Sequence, residues 1–301
     1  MRVASAALAL ALAAAPAAHA ATYAFGYSFS TTDTATFPSG QTAGFGVFTT
    51  GEPSKGSERI TAAAGLWNNQ PITGVSAPGT LGGNDNLLFP GAPLLNSNGV
   101  TFGVSGPAPG NGGGAVNVFA SNGQYTDLAS ATGYGPLAVV KMQLGQVAYS
   151  FSYSFSSFGN ILLASAQGGT GQAAAAAAAT AYGVVVGTPQ ADGSVLATTI
   201  MGVRNGQLIT GLQPPGTTGG NDNLLFPNRS AVLSGNGLSF GTPGGGVNVY
   251  GAEGGYMELG GGAGPFTLAF LVAVPEPASF ALLGAGLLAA GATRRRAAAR
   301  V

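Results

Sequence analysis

Nine consecutive residues, Gly82 to Pro90 (Gly-Gly-Asn-Asp-Asn-Leu-Leu-Phe-Pro), recur without change as Gly219 to Pro227. An identical run of that length sets a register in which one half of the chain lies over the other. Whatever the first half folds into, the second must be able to form as well. The register extends in both directions. Tyr23, Phe25, Tyr27 and Phe29 fall on Tyr149, Phe151, Tyr153 and Phe155, and Gly65, Asn68 and Gln70 fall on Gly202, Asn205 and Gln207. Val116-Asn117-Val118 falls on Val247-Asn248-Val249, and Gly135-Pro136 on Gly264-Pro265. The sequence reads as a tandem duplication of units over residues 21–146 and 147–273, each of ordinary single-domain size.

The local patterns predict strands. The opening segment of each unit alternates aromatic residues with Gly, Ala or Ser, the period-2 signature of a strand with one apolar face. The Val-Asn-Val segments and the apolar runs 137–144 and 266–273 read as further strands. Asn98-Gly99, Asn122-Gly123, Asn205-Gly206 and Asn236-Gly237 supply the positive φ angles of tight hairpins. The expected fold is all-β: two tandem copies of an antiparallel β-sandwich-like unit. Only Gly145-Gln146 separates the last strand of one unit from the first of the next, a length that predicts a hairpin and a sheet shared between the units. The seven alanines 173–179 have no counterpart in the first unit and read as an insertion at a loop or strand margin.

Composition removes several chemistries. Only 7% of residues are charged, against about 25% in an ordinary domain. Residues 21–273 hold five basic and nine acidic side chains, five minus nine giving −4. Such a body has no basic stripe for phosphates, and nucleic acid is not an expected partner. Cysteine is absent and the one histidine is His19. Residues 21–273 therefore offer no imidazole or thiolate for a nucleophilic triad or a zinc site.

The two ends carry addressing signals. Met1-Arg2, an apolar run from Val3 to Ala15, Pro16 and then Ala18-His19-Ala20 form a signal peptide over residues 1–20, with cleavage expected between Ala20 and Ala21. This predicts export through the Sec translocon. At the other end, 274–301, Val274-Pro275-Glu276-Pro277 is followed by an apolar stretch, Ala278 to Thr293, and then by Arg294-Arg295-Arg296. The stretch reads as a short C-terminal transmembrane helix in the inner membrane, with the arginines on the cytoplasmic side. Pro275, Glu276 and Pro277, the helix and Arg294, Arg295 and Arg296 in that order resemble the PEP-CTERM sorting signal of Gram-negative bacteria. That resemblance implies processing by an exosortase, a membrane-embedded cysteine protease-like transpeptidase, followed by delivery to the cell surface or an exopolysaccharide matrix. The body also resembles the repeat-containing β-rich regions found ahead of such tails, which implies secretion and no particular activity.

Candidate sites in the body are few. Asp85 and Asp222, centred in the repeated Asn-Asp-Asn, could contribute to calcium sites, yet each motif offers one carboxylate where calcium takes about six to eight oxygens. The competing expectation is an Asx-type turn with Leu-Leu-Phe inserted into the core. Only Asp85/Asp222 and Asp127/Glu258 keep an acid at matching positions, and nothing marks a catalytic pair of the kind glycosidases use. The aromatic stripes read as core, with sugar stacking as the alternative, and Trp67 reads as an exposed aromatic because Arg204 stands at its counterpart. The glycine-rich loops lack a phosphate-loop setting. No cofactor is expected. The leading expectation is a non-enzymatic surface or matrix protein associated with exopolysaccharide. Its alternatives are a carbohydrate-binding module with two equivalent sites and a calcium-stabilised adhesin.

Overall fold

In the computed structural model the described residues are 21–31, 40–106, 114–128, 133–156, 178–252, 255–259 and 261–274, and all regular structure among them is β. The expected signal peptide over residues 1–20, the expected transmembrane helix with the rest of the tail from Pro275 onward, and Ala173 to Ala177 lie outside the described residues. In the first half the strands are β1 (Thr22–Ser30), β2 (Gln41–Ser54), β3 (Ser57–Trp67), β4 (Gln70–Val75), β5 (Leu87–Leu88), β6 (Val100–Val104), β7 (Ala115–Ser121), β8 (Gln124–Asp127) and β9 (Leu137–Lys141). In the second they are β10 (Val147–Phe155), β11 (Ala179–Pro189), β12 (Val195–Arg204), β13 (Gln207–Leu208), β14 (Gly211–Leu212), β15 (Leu224–Leu225), β16 (Leu238–Thr242), β17 (Gly245–Ala252), β18 (Gly255–Glu258), β19 (Ala263–Gly264) and β20 (Phe266–Ala273).

The first half pairs in the order β8-β7-β6-β4-β3-β2-β1-β9, with β5 on β3. The second forms β13-β12-β11-β10-β20, with β15 on β12, and a separate sheet β14-β16-β17-β18-β19. With β13 and β14 taken together in the place of β4, both halves follow one pairing order. The break between them falls where β4 shifts register, between Ile72 and Gly74.

The period-2 pattern of β1 explains the closure. Tyr23, Phe25, Tyr27 and Phe29 project to one side and are buried with Val100, Phe102, Val116 and Val118 from β6 and β7. The sheet therefore folds over through β4 and packs on itself. The aromatics of β10 do the same against Leu238, Phe240, Val247 and Val249. Both stripes are core. Phe25, Tyr27 and Phe151 lie opposite glycine on the neighbouring strand. Tyr27 pairs with Gly44, and a Cβ at Gly44 would lie 2.5 Å from the Tyr27 ring.

β1 and β10 also bury their opposite faces. Ala24, Ala43, Phe45 and Val47 pack on Ala148, Val184, Val186 and Val203 in a third core between the halves. At its middle, Phe45 meets Tyr182 edge to face, ring centroids 5.9 Å apart. Tyr27 pairs with Gly44 and Tyr153 with Ala181. Phe45 and Tyr182, each one residue on, therefore occupy equivalent places, and the halves meet through like surfaces to give four stacked layers.

The connection between the halves departs from the expected hairpin. β9 pairs with β1, while β10 pairs with β11 and β20, so no sheet is shared. The run expected to continue to Leu144 leaves the sheet after Lys141. A tight turn, with Gln146 N–H donating to Gln143 O at 3.2 Å, carries the chain around a corner into the layer behind. The reason is the second buried face of β1: the next unit has to lie against it.

The Asn-Gly signals divide into two kinds. Asn122-Gly123 and Asn205-Gly206 have positive φ at both residues, as a type I′ hairpin requires. At Asn98-Gly99 and Asn236-Gly237 only the glycine is positive, and these pairs serve the loops described below. Gly44→Val is expected to destabilise the body by about 1–3 kcal/mol, the usual cost of overpacking a filled core, read as a lower urea midpoint with an unchanged slope.

Candidate functional site

The duplicated motif forms a buried amide knot in each half. Asn84 Oδ1 accepts the backbone N–H groups of Thr80 (2.9 Å) and Leu81 (3.2 Å). Its Nδ2 donates to Ala77 O at 3.2 Å and to Asn86 Oδ1 at 2.8 Å. Asn86 in turn donates to Ser76 O at 2.8 Å and accepts Thr101 N–H at 3.0 Å. Asn221 and Asn223 repeat these bonds with Thr217, Thr218, Pro214, Gln213 and Ser239. Each asparagine thus replaces strand pairing where the chain leaves the sheet, and satisfies backbone groups that burial would otherwise strand.

Asp85 sits on the outer side of the knot. Its Oδ1 accepts Leu87 N–H at 3.2 Å, an Asx turn, and its Oδ2 accepts Asn96 Nδ2 at 2.7 Å and Asn98 Nδ2 at 3.1 Å. Asp222 does the same with Leu224 N–H, Ser234 Oγ (2.7 Å) and Asn236 Nδ2 (3.3 Å). Donors aimed at both carboxylate oxygens occupy the lone pairs a cation would use, which favours the turn over the metal. Of the following Leu-Leu-Phe, Leu88 and Leu225 are the fully buried residues, while Leu87 and Phe89 are half-buried. Asn117, the polar residue between two core valines, reaches under the loop to Leu81 O and Asn98 O. A Cβ at Gly82 would lie 2.6 Å from its Nδ2, so the first glycine of the motif is fixed by that contact.

Trp67 is not exposed. It is 1% accessible within the first core, which corrects the expectation drawn from its counterpart Arg204. Trp67 and Arg204 stand at matching positions at the ends of β3 and β12, and each half also buries an acid at a matching position, Asp127 and Glu258. In the first half Asp127 accepts Thr42 Oγ1 at 2.7 Å. In the second, Glu258 accepts Tyr153 Oη at 2.8 Å and forms an ion pair with Arg204, whose Nε lies 3.0 Å away. Glu58, a third buried acid without a counterpart, accepts Tyr23 Oη at 2.9 Å and Thr50 Oγ1 at 2.6 Å. The sequence marks Asp127 and Glu258 as a matched acid pair but not the partners that hold them. The signal lay in the joint exchange of Trp67 with Arg204 and Asp127 with Glu258 between the halves.

Two clefts flank the third core. One, of about 140 Å³, lies between Gly26 and Tyr27 of β1 and Met201, Gly202 and Ile209 of the second half. The other, of about 410 Å³, lies between Ala64, Gly65 and Ile72 of the first half and Ser150, Ser152 and Thr267 of the second. In the register of the repeat, Met201-Gly202 and Ile209 fall on Ala64-Gly65 and Ile72, so the clefts are equivalent places.

Ala21 O accepts Thr50 N–H at 2.8 Å. Val274 is buried in the third core, donates its N–H to Gln146 O at 2.9 Å and accepts Gly145 N–H at 3.1 Å. Residues 273–296 match the PEP-CTERM protein-sorting motif, so the chain carries that motif directly behind its last core strand. The motif implies an exported protein, held for a time in a membrane by its tail and processed by an exosortase. No curated protein and no solved structure matches the chain.

Asn84→Ala with Asn221→Ala should cost several kcal/mol, since about 1–3 kcal/mol accompanies each buried group left unpaired. The melting temperature of the unaltered chain should be the same with and without a calcium chelator. Stability should also depend on pH. Burial, then the hydrogen bond to Glu58, pushes Tyr23 up to about 12, and burial raises Tyr27, Tyr149, Tyr153 and Tyr182. Tyrosine in an unfolded chain ionises near ~10. Below that all five are neutral in both states and their contribution is complete. Above it the unfolded chain releases protons that the folded one keeps, so stability should fall from about pH 10 upward. Thermal melts against pH, with tyrosinate absorbance lagging behind free tyrosine, check this.

Proposed function

We propose that this chain is a non-enzymatic surface or matrix protein of a Gram-negative bacterium, built as a tandem duplication and associated with exopolysaccharide. The Sec translocon carries it across the inner membrane with residues 1–20 as its leader, removed between Ala20 and Ala21. The apolar tail then holds it, with Arg294, Arg295 and Arg296 on the cytoplasmic side, until an exosortase acts near Pro275, Glu276 and Pro277. The observation that carries this reading is the sorting motif at residues 273–296, placed immediately behind a closed all-β body. Its support within the body is that Asp127 and Glu258 each hold strands together through buried hydrogen bonds.

Mass spectrometry of the protein from a host with an exosortase should find Ala21 as the first residue and the residues behind the Pro-Glu-Pro missing. A chain that still ends at Val301 in that host overturns the processing. Replacing Pro275, Glu276 and Pro277 together by alanine should retain the full tail.

The paired clefts favour one second reading, a carbohydrate-binding module with two equivalent sites. The larger is lined by uncharged groups, among them Asn69, Ser150, Ser152 and Thr267, suited to a neutral hydroxylated chain. Retention of the folded protein on immobilised extracellular polysaccharide, lost with Ser152→Tyr, supports it. Absence of retention on every polysaccharide tried removes it.

A further inference from the structure

The two halves end in equivalent edge strands that differ in one respect. β9 and β20 each lie at the end of a sheet, and among the described residues each pairs with one neighbour, β1 and β10 respectively. A strand paired on one side presents a row of backbone N–H and C=O groups on the other, a template for a further strand unless charge, proline or shortness blunts it. β9 is blunted. It is five residues long and ends in Lys141, which pairs with Tyr23 and lies over its ring at 5.9 Å.

β20 carries none of these protections along most of its length. From Phe266 to Val274 the sequence is Phe-Thr-Leu-Ala-Phe-Leu-Val-Ala-Val, without a charge, a proline or a glycine. At the position matching Lys141, opposite Tyr149 as Lys141 is opposite Tyr23, stands Phe270. Phe270 packs edge to face on Tyr149 and is 60% exposed, the most exposed of the large apolar side chains in the described residues. The register of β20 with β10 shifts between Ala148, opposite Val272, and Tyr149, opposite Phe270, which leaves Phe266 to Phe270 in regular register.

We propose that β20 is an interaction edge that pairs antiparallel with β20 of a second copy of this chain. Such an edge is its own complement, because a two-fold axis through an antiparallel strand pair brings identical backbone edges together. Nothing charged in 266–274 opposes the pairing or offers a recognition handle to a charged partner. The added strand would extend the sheet of the second half and lie beside the larger cleft, which Thr267, Ala269 and Leu271 already line. It would thus continue an interface in which the two halves of one chain already meet through equivalent surfaces.

The absence of cysteine makes the test direct. Single cysteines placed at Thr267, Leu268, Ala269, Phe270 and Leu271 in the full chain, displayed in an exporting host and oxidised, should form disulfide dimers. Around a two-fold axis, identical residues separate by roughly 6–7 Å for each step from the axis. Dimer yield should therefore peak at one or two positions and fall on either side. Val140→Cys on β9 is the control and should stay monomeric. Adding Phe270→Lys to the best position should abolish the dimer while leaving the fold intact, since it installs the arrangement of Lys141 over Tyr23. Yields no higher than the Val140→Cys control at every position, or a uniform yield along the strand, would overturn the proposal.

Discussion

Burial of both faces of β1–β2 and β10–β11 is the constraint from which the rest follows. A sheet in a simple sandwich hides one face, and its strands alternate apolar with polar residues. Here the inner strands place large aromatics on the side of their own sandwich and small or β-branched residues on the other. Phe45 and Tyr182 are the exceptions, meeting where the two surfaces cross. Once those faces are committed to each other, the outer layers β6–β8 and β16–β18 have to fold back over the aromatics. The same commitment explains why a short turn at Gln143–Gln146 joins the units around a corner.

A body with so few charges needs other means to finish its loops. The repeated Asn-Asp-Asn supplies them. Two asparagine amides act as side-chain substitutes for strand pairing, and an aspartate gathers the outer turn. The second half keeps every one of these bonds while exchanging Asn96 for Ser234, because the hydroxyl donates to the carboxylate and accepts the same two backbone N–H groups. The geometry is preserved and the residue is free to change. That is the behaviour expected of a structural knot.

Much of this was legible in the sequence, for reasons that are physical. Period-2 alternation of Tyr23 to Phe29 and Tyr149 to Phe155 announces strands with an aromatic face, and Pro-Glu-Pro, an apolar stretch and three arginines behind Val274 announce the tail. The pattern could not say what lay on the opposite face, since Ala24, Ser150 and their neighbours are small enough to be read as exposed. Without that knowledge the join at Gly145-Gln146 looks like a hairpin. Trp67 was misread for a related reason: its partner residue in the other half is charged, yet Arg204 is only partly exposed and is paired with the buried Glu258. A charge at an equivalent position reports exposure only when no counter-charge changes with it.

The anchorage of Val274 has a bearing on reach. Its two backbone bonds run to Gln146 and Gly145, the residues that join the two units, and its side chain lies in the core between them. The tail therefore leaves a closed body with no spacer. If that core opens, β20 can peel from β10, and each residue freed lengthens the tether by up to about 3.3–3.6 Å. Folding of the body is thus a ruler. It sets how far the residues behind Val274 stand from the protein they belong to, through bonds made at the first residues of the sorting motif.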